Sequence, residues 1–277
     1  MRREQLPPKR KFIDASGATR YAKMVTSGDI VAGPSVRNVC ARHLRDLEAS
    51  KREDFPYRFD YKSAKRACDF FPLMLTLRSG ETDGKRFDLL PWQKFYIGSL
   101  FGWLNKETGY RRFRIAYLEC AKGGGKTPLH AGIGLYLLVA DGEAAAEIYT
   151  IARDADQALV VFQDAVRMVE SNKVLSEALA IRGGKVKPLN ISYHKRGSFM
   201  RRMANTTRSL GASGPRPHGV IFDEVHEFAS TESIDLYSKG VKARTQPMML
   251  FGTNAGESRV SVGWDYHAHA VGVASGA

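Results

Sequence analysis

Three consecutive glycines, followed by Lys126-Thr127 and set between a β-rich run and a helix-forming run, leave few folds open to this sequence. The stretch reads Cys120-Ala-Lys-Gly-Gly-Gly-Lys-Thr127. Residues 112–119 before it predict a strand, and residues 129–140 after it predict a helix. Gly123, Gly124 and Gly125 allow backbone N–H groups to close around an anion. The helix that follows adds the positive end of its dipole. In such a unit the lysine reaches the outer phosphates of a nucleoside triphosphate and the hydroxyl holds Mg²⁺. Lys126 and Thr127 stand at those positions, with Ala121 and Lys122 in the loop. The pattern G-x-x-x-x-G-K-[ST] lacks its first glycine, which Cys120 replaces. A surface turn with a capping threonine accounts for the same residues, so the rest of the chain decides.

A second signal comes from residues 219–224, Gly-Val-Ile-Phe-Asp-Glu. An apolar strand here delivers two adjacent carboxylates at its C-terminal end, where open α/β sheets bind ligands. Asp223 suits a Mg²⁺ ligand acting through water, and Glu224 suits the base that orients and deprotonates an attacking water. Residues 247–254 predict a further buried strand ending in Thr253-Asn254. Those two lie beside Glu224 if the strands are neighbours, where polar groups can sense a γ-phosphate.

Between these signals, strand and helix patterns alternate: a strand over 146–151, then a helix over 154–170 with Leu159, Phe162, Val166 and Val169 on one face. Alternation of this kind indicates an α/β fold with a mostly parallel sheet. Residues 189–194 and 198–204 suggest a hairpin over the sheet edge, and 234–243 a helix. Residues 208–218 form a Gly/Pro/Ser loop, and residues 257–277 carry no readable pattern. Toward the N-terminus, residues 1–33 are polar and basic and are expected to form an extended arm. Residues 34–52 and 60–71 predict two amphipathic helices, with Asp60 as N-cap and Pro72 at the end of the second. The expected division is an arm over 1–33, a helical subdomain over 34–84 and a P-loop core over 85–277. Gln93 lies on a helix begun by Pro91, just before the P-loop strand. Its amide carries both a donor and an acceptor, the pair needed to read the adenine edge.

The chain has 277 residues with 42 Lys+Arg against 29 Asp+Glu, a formal charge of +13, which points to a polyanionic partner such as nucleic acid. Cys40, Cys68 and Cys120 are too scattered for a metal site or a disulfide framework, in keeping with a reducing cytosol. The longest apolar run, 133–140, is far shorter than the ~18 residues of a membrane span.

Taken in order, Pro-Trp-Gln, the Ala-Lys-Gly-Gly-Gly-Lys-Thr loop, Ile-Tyr-Thr-Ile-Ala-Arg, Val-Ile-Phe-Asp-Glu-Val-His and Thr-Asn-Ala-Gly resemble the ATPase domain of the large terminase subunit of tailed bacteriophages, over about residues 85–270. The resemblance implies an additional-strand P-loop ATPase that hydrolyses ATP with Mg²⁺ and packages double-stranded DNA into a procapsid in the host cytoplasm. It implies a small terminase subunit and a portal as partners, and a ring of large subunits when assembled on the portal, with a monomer expected in solution. By motif, Gln93 matches the adenine-reading glutamine, Lys126-Thr127 the Walker A pair, and Asp223-Glu224 the Walker B aspartate and catalytic glutamate. Thr253-Asn254-Ala255 match the motif that couples hydrolysis to movement. Family members usually carry arginine where Lys122 stands; lysine supplies the charge without the planar fork. A cation donated by a neighbouring subunit would compensate, with Arg153, Arg208, Arg216 and Arg244 as candidates. Large terminases also carry a nuclease built on clustered carboxylates, whereas only Glu257 and Asp265 follow Asn254 here, so no nuclease activity is expected of this chain. Two other readings fit the P-loop: a helicase-like, nucleic-acid-stimulated ATPase, and a truncated piece that binds nucleotide or DNA without catalysis.

Overall fold

The structure, a computed structural model, describes residues 14, 16–77, 82–184, 186–205 and 214–276. Helix α1 (Ala18–Ser27) carries Ala18, Tyr21, Ala22 and Val25 at helical spacing, all buried. The extended arm expected over 1–33 is therefore corrected from Ala18 onward. The polar composition hides a narrow apolar stripe that packs on Cys40 and Leu44 of helix α2 (Pro34–Ala49). Residues 1–13 lie outside the described residues. Strand β1 (Tyr57–Phe59) leads to helix α3 (Tyr61–Met74). The Asp60 carboxylate caps α3 by accepting from the Ser63 N–H at 2.8 Å, a contact worth about 1 kcal/mol. Pro72 sits inside the last turn of α3, and the helix continues to Met74.

Helix α4 (Pro91–Gly102) runs directly into strand β2 (Trp103–Asn105), which pairs antiparallel with β1. His43 ties these pieces together: its Nδ1 accepts from the Trp103 indole N–H at 3.0 Å and its Nε2 meets the Thr19 hydroxyl at 3.1 Å. Burial pushes the His43 imidazole down to about 4, so it is a neutral structural residue.

The central sheet uses strands β3 (Ile115–Glu119), β4 (Glu147–Ala152), β5 (Ala180–Gly183), β6 (Pro188–Tyr193), β7 (Ser198–Ala204), β8 (Gly219–Asp223) and β9 (Met248–Thr253), in the order β3-β9-β8-β4-β7-β6-β5. The first five strands in that order run parallel, and the last two alternate in direction. Helices α5 (Lys126–Val139) and α6 (Ala155–Glu170) cover one face, burying Leu129, Ile133, Val161 and Phe162 against Ile148, Ile221 and Leu250. The alternate residues Tyr149, Val220, Phe222, Met249 and Phe251 point to the opposite face. There they meet Ile234 and Tyr237 of helix α8 (Glu232–Gly240) and Tyr266 of helix α9 (Val262–Ser275). Strands β8 and β9 are buried on both faces, which explains their unbroken apolar runs.

The structure departs from the sequence reading in three places. Residues 188–204 do form antiparallel neighbours, but β7 joins the sheet itself, parallel to β4 from Glu147↔Phe199 to Ala152↔Ala204. The short helix α7 (Lys173–Ala178) and β5 add an edge that the sequence did not announce. Residues 262–275, unreadable from pattern, become α9, with the Ser261 hydroxyl accepting from the Trp264 N–H at 3.2 Å.

At the N-terminal ends of the strands, Arg111, Asp141 and His218 form a buried network. Arg111 Nη1 is 2.5 Å from Asp141 Oδ1, and His218 Nε2 is 2.6 Å from Asp141 Oδ2. Arg111 also donates to the Gln246 carbonyl, so one cluster joins the starts of β3, β8 and β9 to the end of α5. No described helix is long and apolar enough to cross a membrane.

Candidate nucleotide site

Because β3, β9 and β8 are parallel and adjacent, their C-terminal ends bring the glycine loop, Thr253 and Asp223-Glu224 to one edge of the sheet. Gly123 and Gly125 adopt φ of +80° and +82°, a region that penalises any side chain. A Cβ at Gly124 would sit 3.0 Å from the Ala121 carbonyl. The three glycines are thus needed by the backbone path. α5 begins at Lys126, so its N-terminal N–H groups and dipole face the loop. The Cys120 N–H donates to the Thr253 carbonyl at 3.2 Å, seating the loop on β9 without a glycine at that position.

Lys126 is buried, and its Nζ lies 2.5 Å from Glu224 Oε1. Glu224 is half-buried and holds a left-handed φ of +51°, which turns its side chain off the line of β8. Asp223 is buried at the end of β8, and its Oδ1 has no hydrogen-bond partner among the described residues. Burial pushes its carboxyl up to about 6; the charge of Lys126 opposes that rise and the charge of Glu224 adds to it. A hard divalent cation seeks oxygen ligands, and the buried Asp223 carboxylate together with the Thr127 hydroxyl in the first turn of α5 fits Mg²⁺.

Gln93 is buried on α4, with Oε1 accepting from the Leu90 N–H at 2.8 Å. That contact caps α4 and occupies the acceptor. Nε2 faces the loop, 3.6 Å from where a Cβ on Gly125 would lie. Ala121 and Lys122 are exposed in the loop. Asn254 turns its Oδ1 back to accept from the Gly256 N–H at 2.9 Å.

Three residues near the site were not singled out from the sequence. His226 Nδ1 lies 2.9 Å from Thr253 Oγ1 and 3.4 Å from Glu224 Oε2. Thr253 in turn donates to the Asn254 carbonyl at 2.9 Å, so the end of β9 and the turn after β8 are linked through one hydroxyl. His130 and Tyr96 lie behind Asp223 and form a pair at 3.2 Å. The available signals were position: His226 two residues after Glu224, and His130 one helical turn after Lys126.

The arginines suggested as cross-subunit donors differ. Arg244 is mostly buried, paired with Glu143 at 3.0 Å and donating to the Arg216 and Ala145 carbonyls at 2.8 and 2.6 Å. Arg153 is half-exposed and bridges Asp154 and Glu227 at 3.1 and 2.9 Å. The Arg216 side chain is exposed, and Arg208 lies outside the described residues. A separate cavity of about 670 Å³ opens along β3 between α2, α4 and α9, lined by Phe95, Trp103, Phe113 and Tyr266; no glycine-loop residue and neither carboxylate lines it.

One strand, β9, separates the P-loop strand from the carboxylate strand. That arrangement defines the additional-strand class of P-loop ATPase folds. Residues 91–269 match the family of the terminase large subunit, ATPase domain, and the chain belongs to that family. The fold is similar to that of the HK97 bacteriophage large terminase, with a TM-score of 0.63 at 22% identity over 76% of this chain and 41% of that one. The chain therefore spans about two fifths of that terminase's length. Weaker likenesses are to the ATPase domain of the Thermus phage P74-26 large terminase (TM-score 0.41, 17% identity, 55% of this chain and 64% of that one) and to the large terminase of a thermophilic bacteriophage in complex with ADP (TM-score 0.39, 10% identity, 50% and 33%). No curated protein matches.

Proposed function

We propose that this chain is the ATP-hydrolysing motor domain of a phage large terminase, driving double-stranded DNA into procapsids. The observation that carries the reading is the meeting of Lys126, Asp223 and Glu224 at the ends of adjacent parallel strands in a chain of the terminase ATPase family. Backbone N–H groups of Gly123, Gly124 and Gly125 and the start of α5 hold the phosphates, and Lys126 bears on the outer ones. Thr127 and Asp223 would hold Mg²⁺, which when bound offsets phosphate charge. Glu224, once free of Lys126, takes a proton from the attacking water. The Gln93 amide would donate to the adenine base, and Lys122 would supply charge over the loop without a bidentate fork. Thr253 and Asn254, tied to His226, carry the change at Glu224 into the segment after β9.

The partners that follow are duplex DNA, a small terminase subunit and a portal-bearing procapsid in the host cytoplasm, with the motor acting as a ring of copies. The basic balance of the sequence, +13, favours the DNA contact. The test is ATP hydrolysis by the purified chain with and without duplex DNA, and with Glu224→Gln as control. Mg²⁺-dependent hydrolysis that DNA stimulates and the control abolishes is expected. Hydrolysis absent under every condition, or unaffected by the control, overturns the reading.

A further inference from the structure

We infer that His130, through its Nδ1–H, is the positioning residue for the Asp223 carboxylate. The inference rests on the nucleotide-site reading above. His130 is wholly buried on α5, one turn beyond Lys126. Its Nε2 lies 3.2 Å from the Tyr96 hydroxyl, which has no other acceptor among the described residues. A phenol that donates to Nε2 leaves the single ring proton of the neutral imidazole on Nδ1. Burial, reinforced by the nearby Lys126 charge, holds the imidazole down to about 3, so the donor is present without a second cation beside Lys126.

His130 Nδ1 has no partner among the described residues, and neither has Asp223 Oδ1. Both face the same point on β9. An atom at the Cβ position of Gly252 would stand 2.9 Å from His130 Nδ1 and 3.2 Å from Asp223 Oδ1. A buried donor and a buried acceptor left unpaired cost about 1–3 kcal/mol each. Pairing across the gap above Gly252, directly or through one water, satisfies both groups. Gly252 supplies the gap, because a side chain there would fill it. Held at Oδ1 from behind, the carboxylate keeps its second oxygen for the cation, as residues behind metal ligands do elsewhere.

Three substitutions separate this role from simple packing. Asn places a polar side-chain atom where Nδ1 sits, Gln where Nε2 sits, and Phe removes both. In Mg²⁺ titrations of ATP hydrolysis, His130→Gln and His130→Phe are expected to need roughly tenfold more Mg²⁺ for half-maximal rate, with the KM for ATP at saturating Mg²⁺ within about twofold of the parent. His130→Asn is expected to stay within about threefold of the parent on the same axis. A second readout needs neither nucleotide nor metal. In ¹⁵N-histidine NMR of the unsubstituted chain, His130 should show a protonated Nδ1 and a bare Nε2, and Asp223→Ala should shift Nδ1 alone. Asn and Gln variants that behave alike, an unmoved Mg²⁺ requirement, or a proton on Nε2 overturns the inference. Should the Phe variant fail to fold, the Asn–Gln contrast and the spectrum still decide. A chain that hydrolyses no ATP sinks the proposed function, and the spectrum alone then decides this point.

Discussion

Lys126 Nζ and Glu224 Oε1 lie 2.5 Å apart, so the residue that should grip phosphate and the residue that should activate water hold one another. On the proposed reading each would leave the other for catalysis. An entering phosphate would compete for Lys126 and thereby free Glu224, tying activation of the base to filling of the cradle. The left-handed φ of +51° at Glu224, unusual for a residue with a side chain, aims its carboxylate at that contact.

Separating the pair by mutation gives two distinct failures. Lys126→Ala should lose both nucleotide binding and turnover. Glu224→Gln weakens the competing ion pair and keeps the cradle, so it should bind ATP at least as tightly as the parent while hydrolysing it about 100-fold or more slowly. Equilibrium binding of a fluorescent ATP analogue and single-turnover hydrolysis check this. Near-normal turnover in Glu224→Gln removes Glu224 from the role of base.

Gln93 carries two roles that can be told apart. Its Oε1 caps α4 and its Nε2 faces the glycine loop. Gln93→Ala should lower stability by about 1 kcal/mol through the lost cap and weaken ATP binding more than GTP binding. Equal losses for the two nucleotides leave Gln93 with the cap alone.

A trans-acting arginine should reveal itself by complementation. Glu224→Gln mixed with Arg153→Ala or Arg216→Ala should regain part of the activity if that arginine serves a neighbour, since some interfaces then join an intact base to an intact arginine. Such a finger contributes about 10³–10⁵ in rate in other P-loop enzymes. Arg244→Ala should instead lower the melting temperature and rescue nothing, because its guanidinium is engaged with Glu143 and the Arg216 and Ala145 carbonyls. Specific activity that stays constant across concentrations spanning assembly, with no mixture rescuing, places all of catalysis in one chain.

The buried Asp141 network should make stability sensitive to acid. Burial alone would raise the Asp141 carboxyl, but hydrogen bonds and charge from His218 and Arg111 bring it below the ordinary value of 3.8. With the folded value below the unfolded one, the stabilisation is fully present above the unfolded value and is lost as pH falls through the folded one. Asp141→Asn should therefore be less stable than the parent at pH 7, by about 3–5 kcal/mol for a stranded buried Arg111. The gap should narrow toward pH 3. Chemical denaturation at the two pH values measures it; a gap independent of pH contradicts the assignment.

The residues gathered at the candidate site were legible because they are written in contiguous runs: the glycine loop with Lys126-Thr127, and Asp223-Glu224 at the end of an apolar strand. Gln93, Thr253 and Asn254 were legible only as companions of those runs. His130 and Tyr96 were not, since a buried polar pair on two helices leaves no local pattern. Helix α1 was masked by its glycine-rich surroundings, and α9 by an apolar distribution without a clear face. Strand β5 depends on pairing with β6, a non-local condition that no short window records.

Strand β9 is zipped to β3 on one side and to β8 on the other, with five aligned residue pairs on each. Sliding it by even one residue would break two ladders at once and reverse which side chains face each helix layer. Any displacement along this route would therefore not be a translation of the strand. It would begin where the zip ends, at Asn254, in the short segment that holds Gly256 at φ +66°. Beyond it α9 is fastened back onto the same sheet, Tyr266 stacked on Phe251 and His267 bonded to Glu119 at 2.8 Å, so strand and helix are tied as one piece.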